Sequence, residues 1–143
     1  MSLQVKHFFD PDTFTLTYIV FDESSRDALL IDPVLNLDWA SGQISFKSVE
    51  LVQNFLEKNN LNALLSLETH VHADHLSGAA ELKKRFPDLK LAIGENVTKV
   101  QELFSKVFNV ASMNDLGSKF DHLLKDDDVL CAGTIEVKII STP

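Results

Sequence analysis

The sequence predicts a single α/β domain built on a mixed β-sheet, and three observations predict it. Apolar residues switch along the chain between a period of two and a period of 3.6, so strands and helices interleave. Two pairs of strand-like runs are joined by short polar turns, at 22–27 and 132–133, which calls for antiparallel pairing in part of the sheet. The composition, 45% apolar and 24% charged over 143 residues, is that of an ordinary globular domain with room for one core.

Taken in order, Thr13–Val20 alternates β-branched and aromatic residues, and Ala28–Ile31 is a short apolar run that ends at Asp32-Pro33. The polar stretch Asp22–Asp27 joins them as a hairpin. Val34–Phe46 holds Asn36, Asp38, Ser41 and Gly42 and reads as a surface loop. From Ser48 the period lengthens, and Val49, Val52, Phe55 and Leu56 share one helical face up to Lys58-Asn59-Asn60. Leu61–Leu67 follows as a buried strand. A helix is expected over Leu76–Phe86, with Lys83, Lys84 and Arg85 at its negative end on a solvated face and Pro87 as its stop.

Leu89–Ile93 is a further strand. Asn96 is placed to cap a helix over Val97–Phe108 whose inward face is Val100, Leu103, Phe104 and Val107. Lys125–Asp128 is a turn, and Val129–Cys131 and Thr134–Ile140 form a second hairpin. The ten phenylalanines are expected in the core, and Cys131, in the apolar run VLCAG, is expected to be buried and inert. His7 and His122 stand apart from other ligand-type residues and are read as structural.

Charge and composition exclude several functions. With 13 basic and 21 acidic residues the formal charge is -8 and no basic patch is visible, which disfavours nucleic acid as a partner. One cysteine cannot form an internal disulfide. No stretch approaches the roughly 20 apolar residues of a membrane span, and the N-terminus lacks a signal-peptide core. A cytoplasmic protein with no membrane partner is expected.

The chemistry is concentrated in Glu68–His75, ETHVHADH, which holds three of the five histidines within six residues. On an extended segment His70 and His72 share a side and can converge on one ion. Asp74 and His75, at the turn into the next element, can reach a second ion beside it. Neutral imidazoles and a carboxylate without thiolates suit Zn(II), Fe(II) or Mn(II) and argue against a closed structural zinc site. Two ions about 3.5–4 Å apart would activate a bridging water for hydrolysis. One ion with open positions would suit oxygen chemistry.

THVHADHLSGA resembles the signature of the metallo-β-lactamase superfamily. The segments FDPDTFTLTYIVFD, LLIDPVLNLDWASG, LLSLETHVHADHLSGAAELKKRF and LAIGENVTKVQELFSKVFN together are similar to the persulfide dioxygenase branch of its glyoxalase II-like proteins. The resemblance implies that this chain is the N-terminal half of an αββα sandwich, an apparently truncated domain. It implies His70 as a metal ligand in both the iron dioxygenases and the dinuclear hydrolases, His72 as a further first-ion ligand in the hydrolases, and Asp74 and His75 as second-ion ligands there. In a mononuclear iron enzyme His72, Asp74 and His75 would stand beside the ion, with Asp74 the candidate catalytic residue, orienting water or substrate. Asp32 is expected to support the metal loop.

The family pattern continues with a Gly-His turn, a bridging aspartate and a final histidine, and the sequence stops at Ser141-Thr142-Pro143, short of them. A face of the sheet is therefore expected to need a cover, and a homodimer is one candidate. The implied activity is oxidation of glutathione persulfide or a similar persulfide to sulfite with Fe(II). The implied alternative is a hydroxyacylglutathione hydrolase with a dinuclear Zn, Fe or Mn site. An inactive fragment or assembly module is the reading outside catalysis.

Overall fold

The computed structural model describes residues 2–110 and 117–142. Its centre is a six-stranded sheet in the order β1 (Leu3–Asp10), β2 (Thr15–Asp22), β3 (Asp27–Ile31), β6 (Asn62–Glu68), β8 (Lys90–Gly94), β9 (His122–Leu124). The first three strands are antiparallel, and β3, β6, β8 and β9 run parallel, so the sheet is mixed as the sequence predicts. The parallel strands are buried on both sides, with Leu65, Ser66, Leu67 and Glu68 all buried in β6.

Helices α1 (Lys47–Lys58) and α2 (Ala79–Arg85) cover one face. Val49, Val52 and Leu56 of α1 and Ala79 and Leu82 of α2 close on Ile19, Ala28, Leu30 and Leu91. Each fully buried aliphatic side chain of this kind contributes about 1.5–3 kcal/mol by leaving water. The alternate residues Leu29, Leu65, Leu67 and Ala92 face the other way and meet Ala132 and Ile135 of the hairpin β10 (Val129–Ala132)–β11 (Ile135–Lys138). The hairpin turn is tied down by Asp27, which accepts the Thr134 amide at 2.8 Å.

Several expectations are corrected. The stretch expected as a loop contains β4 (Val34–Asp38) and β5 (Gln43–Ser45), paired antiparallel through Asn36↔Ser45 and its neighbours. The buried Asp10 carboxyl joins it to the core by accepting from Asn36 Nδ2 (2.8 Å) and Ser48 Oγ (2.9 Å). The helix expected from Leu76 begins at Ala79, because Leu76-Ser77 (β7) pairs with Leu35 and Val34 instead. Gly78 makes that contact feasible: a Cβ there would lie 2.9 Å from the Val34 carbonyl oxygen.

The second hairpin strand is shorter than expected and ends at Lys138. Strand β10 alternates, turning Leu130 and Ala132 inward and Cys131 outward, so Cys131 is exposed rather than buried. The phenylalanines divide: Phe8, Phe21, Phe55, Phe86 and Phe120 pack on the core, whereas Phe9, Phe14 and Phe108 are exposed. In α3 (Val97–Phe108) only Val97 is buried, and Leu103, Phe104 and Val107 look outward. Asn96 precedes α3 without a side-chain capping bond. At the end of α2, Lys83 pairs with Asp121 and Arg85 with Gln53 and Glu81, so only Lys84 keeps to a solvated face.

Candidate metal centre

The polar loop Thr69–His75 leaves the C-terminal end of β6, beside the C-terminal end of β3. Asp32 follows β3 in a left-handed conformation (φ 49°) directly before Pro33, an uncommon backbone state held by its neighbours. Its amide donates to Leu67 O at 3.0 Å, and its carbonyl accepts from Thr17 Oγ1 at 2.9 Å. The Asp32 side chain is thereby aimed across the loop. Its Oδ1 accepts from the Thr69 amide and its Oδ2 from Thr69 Oγ1, both at 2.7 Å.

These bonds decide which imidazole nitrogens stay open. Burial works to raise the Asp32 pKa, but bonds from His72 and Thr69 outweigh it and hold the carboxyl below the ordinary aspartate range. An ionised Asp32 only accepts, so the Thr69 hydroxyl gives it the proton and accepts from His70 Nδ1 at 2.8 Å. His70 then carries its proton on Nδ1 and leaves Nε2 as a lone pair. His72 is held from the other side, its Nε2 lying 3.1 Å from Asp32 Oδ1 and 2.9 Å from Glu68 Oε2. These are hydrogen-bond lengths, so Nε2–H belongs to the carboxyls and Nδ1 faces the loop.

Donor atoms of His70, His72 and Asp74 lie within 4.8 Å of one another. His75 flanks this group, with its ring 4.1 Å from that of His72. Asp74 lies between them: its Oδ1 is 3.7 Å from His72 Nδ1 and 3.4 Å from His75 Nδ1. All four residues named from the sequence are thus at one place, with His70 and Asp74 open to solvent and His75 buried.

The residues fit a metal ion. His72 Nδ1 and both nitrogens of His75 are buried without a hydrogen bond. Burial pulls the His72 pKa down, but bonds to Asp32 and Glu68 prevail and raise it to about 10. The protonated ring therefore keeps a buried Nδ1–H with no acceptor, a costly arrangement. A cation in place of that proton removes the deficit, and the carboxyls on Nε2–H are the outer partners that metal-bound histidines ordinarily have.

A family model described as the metallo-β-lactamase superfamily matches residues 10–135. The chain belongs to the metallo-β-lactamase superfamily. A probable metallo-hydrolase of Burkholderia pseudomallei is 42% identical over 99% of this chain and 48% of its own length. Glyoxylase B2 of Dictyostelium discoideum is 36% identical over 98% of this chain and 48% of its own length. The mitochondrial persulfide dioxygenase ETHE1 of Mus musculus is 32% identical over 62% of this chain and 31% of its own length. Among solved structures, ETHE1 from Myxococcus xanthus superposes with a TM-score of 0.67 at 22% identity, covering 95% of this chain and 46% of that one. The chain spans about a third to a half of the length of these relatives.

The superfamily implies metal ions, and the His/Asp cluster supplies ligands of the right kind. A cavity of about 1020 Å³ opens beside the loop and is lined by His70 and His72 together with Ile93, Val100, Phe104 and Ile140. Among the described residues no helix is long and apolar enough to cross a membrane.

The sequence reading missed three participants: Thr69, Glu68 and Ser77. Thr69 and Glu68 lie directly before the first histidine, and a glutamate at the end of an otherwise apolar strand was the available signal. Ser77, which donates to Glu68 Oε1, carried none, because its partner is set by the β4–β7 pairing.

Proposed function

We propose that the intact protein is a metal-dependent persulfide dioxygenase, converting glutathione persulfide or a similar low-molecular-weight persulfide, with O₂ and water, to the thiol and sulfite. The metal reading rests on one observation, the convergence of His70, His72 and Asp74 with their open nitrogens fixed by Asp32, Thr69 and Glu68. The substrate class is supported by the likeness to a persulfide dioxygenase over 62% of the chain.

Fe(II), held by His70 together with the remaining ligands of the family pattern, would supply a site where O₂ and the persulfide sulfur meet. The residues of this chain orient and hold. Thr69 keeps His70 in the tautomer that presents Nε2, and Asp32 and Glu68 keep the His72 ring turned with Nδ1 inward. Asp74, exposed at the loop surface, is placed to hydrogen-bond water or the substrate thiol. Ile93, Val100 and Phe104 add apolar surface to the lining of the cavity. A small substrate is the class in view, with no nucleic acid or membrane partner and with a homodimer as the assembly to test; the cytoplasm is the proposed location.

A second reading has specific support: the probable metallo-hydrolase and the glyoxylase match nearly the whole chain. A dinuclear thioesterase would use His70, His72, Asp74 and His75 around a water-activating pair of Zn, Fe or Mn ions. The test is metal content per chain of protein purified without oxygen or chelator, with O₂ uptake on glutathione persulfide and hydrolysis of a glutathione thioester measured in parallel. One iron with O₂ uptake supports the dioxygenase. Two ions with thioester hydrolysis and no O₂ uptake refute it in favour of the hydrolase.

A further inference from the structure

We infer that Glu68 is a positioning residue for the metal-binding ring of His72 and a determinant of how tightly the centre holds a divalent cation. The inference rests on the reading of His72 as a ligand through Nδ1, as in the dinuclear centre above, and goes further, because Glu68 lines the cavity yet acts on the cation only through the His72 ring.

Glu68 is the last residue of β6 and is 6% exposed, at the end of a strand in which Ala63, Leu65, Ser66 and Leu67 are also buried. A buried carboxyl is costly unless it is paired. Among its described partners there is no lysine or arginine: Oε2 meets His72 Nε2 at 2.9 Å and Oε1 accepts from Ser77 Oγ. The acid is therefore committed to the histidine, and Ser77 fixes the carboxyl's own rotation.

One acid would suffice to choose the tautomer of His72, and Asp32 already stands 3.1 Å from the same nitrogen. The two differ in what else they hold. Asp32 also accepts both Thr69 donors and so serves the His70 side of the site. Apart from the Ser77 hydroxyl, Glu68 holds only His72, and it sits the closer of the two. Shared between two carboxyls, the Nε2–H cannot swing toward either side without losing a bond, which locks the ring plane. The second negative charge behind the ring also strengthens Nδ1 as a donor to a cation. Loss of such an outer partner typically weakens metal binding about 10–100-fold.

The test is Zn(II) titration of the intact protein against a chromophoric chelator, for wild type, Glu68→Gln and Glu57→Gln. Glu57 is an exposed glutamate of α1 bonded to Gln53, remote from the loop, and controls for loss of one acid. Glu68→Gln keeps size and a hydrogen-bonding end, and is expected to bind Zn(II) at least tenfold more weakly, with Glu57→Gln unchanged. Equal affinity in Glu68→Gln and wild type, with only a lowered melting temperature, overturns the proposal and leaves Glu68 a structural acid. A second readout needs no substitution: ring ¹⁵N spectra of the zinc-loaded wild type should show His72 metallated at Nδ1 and carrying a slowly exchanging Nε2 proton. A rapidly exchanging Nε2 proton there overturns the proposal even if Glu68→Gln fails to fold. If wild type binds no Zn(II) and His70→Ala changes nothing, the metal reading itself falls, an outcome distinct from the failure of Glu68.

Discussion

Replacing Asp10 by alanine should destabilise the fold substantially, and the loss should shrink in acid. The Asp10 carboxyl is 3% exposed. Its Oδ1 accepts from the Asp12 and Thr13 amides and from Thr13 Oγ1, and its Oδ2 from Asn36 Nδ2 and Ser48 Oγ. In Asp10→Ala the turn donors can rehydrate, because Asp12 is exposed and Thr13 half-buried. The Asn36 amide keeps its 3.0 Å bond to Ser48 Oγ but loses its other partner, and the Ser48 hydroxyl loses its acceptor. Two donors stranded at about 1–3 kcal/mol each give roughly 2–6 kcal/mol, less what small shifts recover. Urea unfolding at neutral pH should show this as a lower midpoint with an unchanged slope. Burial works to raise the Asp10 pKa, but bonds from Ser48, Thr13 and Asp12 outweigh it and set the folded value below 3.8. A lowered folded pKa gives stability that is present above the unfolded value and lost as pH falls through the folded one. The gap between wild type and Asp10→Ala should therefore be constant above about pH 5 and narrow below about pH 4. A gap under about 1 kcal/mol at neutral pH, or one that widens in acid, would refute the reasoning.

Asp32→Ala should weaken Zn(II) binding by about 10–100-fold or more, because it releases both Thr69 and one side of His72, and chelator competition measures it. His75→Ala should leave the iron count per chain unchanged in a mononuclear dioxygenase and reduce it from two to one in a dinuclear hydrolase; elemental analysis decides. Gly78→Ala places a Cβ 2.9 Å from the Val34 carbonyl oxygen and 3.2 Å from Val49 Cγ2, and should cost about 1–3 kcal/mol in urea unfolding. Leu82→Ala empties a fully buried site between α2 and the sheet and should cost about 2–5 kcal/mol by the same assay.

The parts of the fold legible in the sequence are those whose signal is local. Strands β3, β6 and β8 are short apolar runs because the sheet covers them on both faces, and α1 shows its stripe because one side meets the core. Strand β1 is hidden because it is an edge: Lys6 and His7 are exposed and only Asp10 is fully buried, so no alternation survives. Strands β4 and β5 are hidden because pairing with each other and with β7, rather than apolar content, makes them strands. The outward face of α3 shows the reverse error, a stripe of Leu103, Phe104 and Val107 that the described residues do not cover.

The metal loop was legible for the same local reason, since its four ligand-type side chains fall within six residues. What the spacing of HVHADH does not contain is the choice of nitrogen. That choice comes from Asp32, directly after β3, which meets the loop because β3 and β6 are parallel neighbours in register at Ile31↔Leu67. A parallel pair delivers both strand ends to the same edge, so the acid that selects each tautomer and the histidines it selects emerge side by side. An antiparallel pair would have put Asp32 at the opposite end of the strand. The mixed topology is thus a condition of the chemistry: the antiparallel strands widen the sheet, and the parallel centre brings Asp32, Glu68, His70 and His72 to one edge.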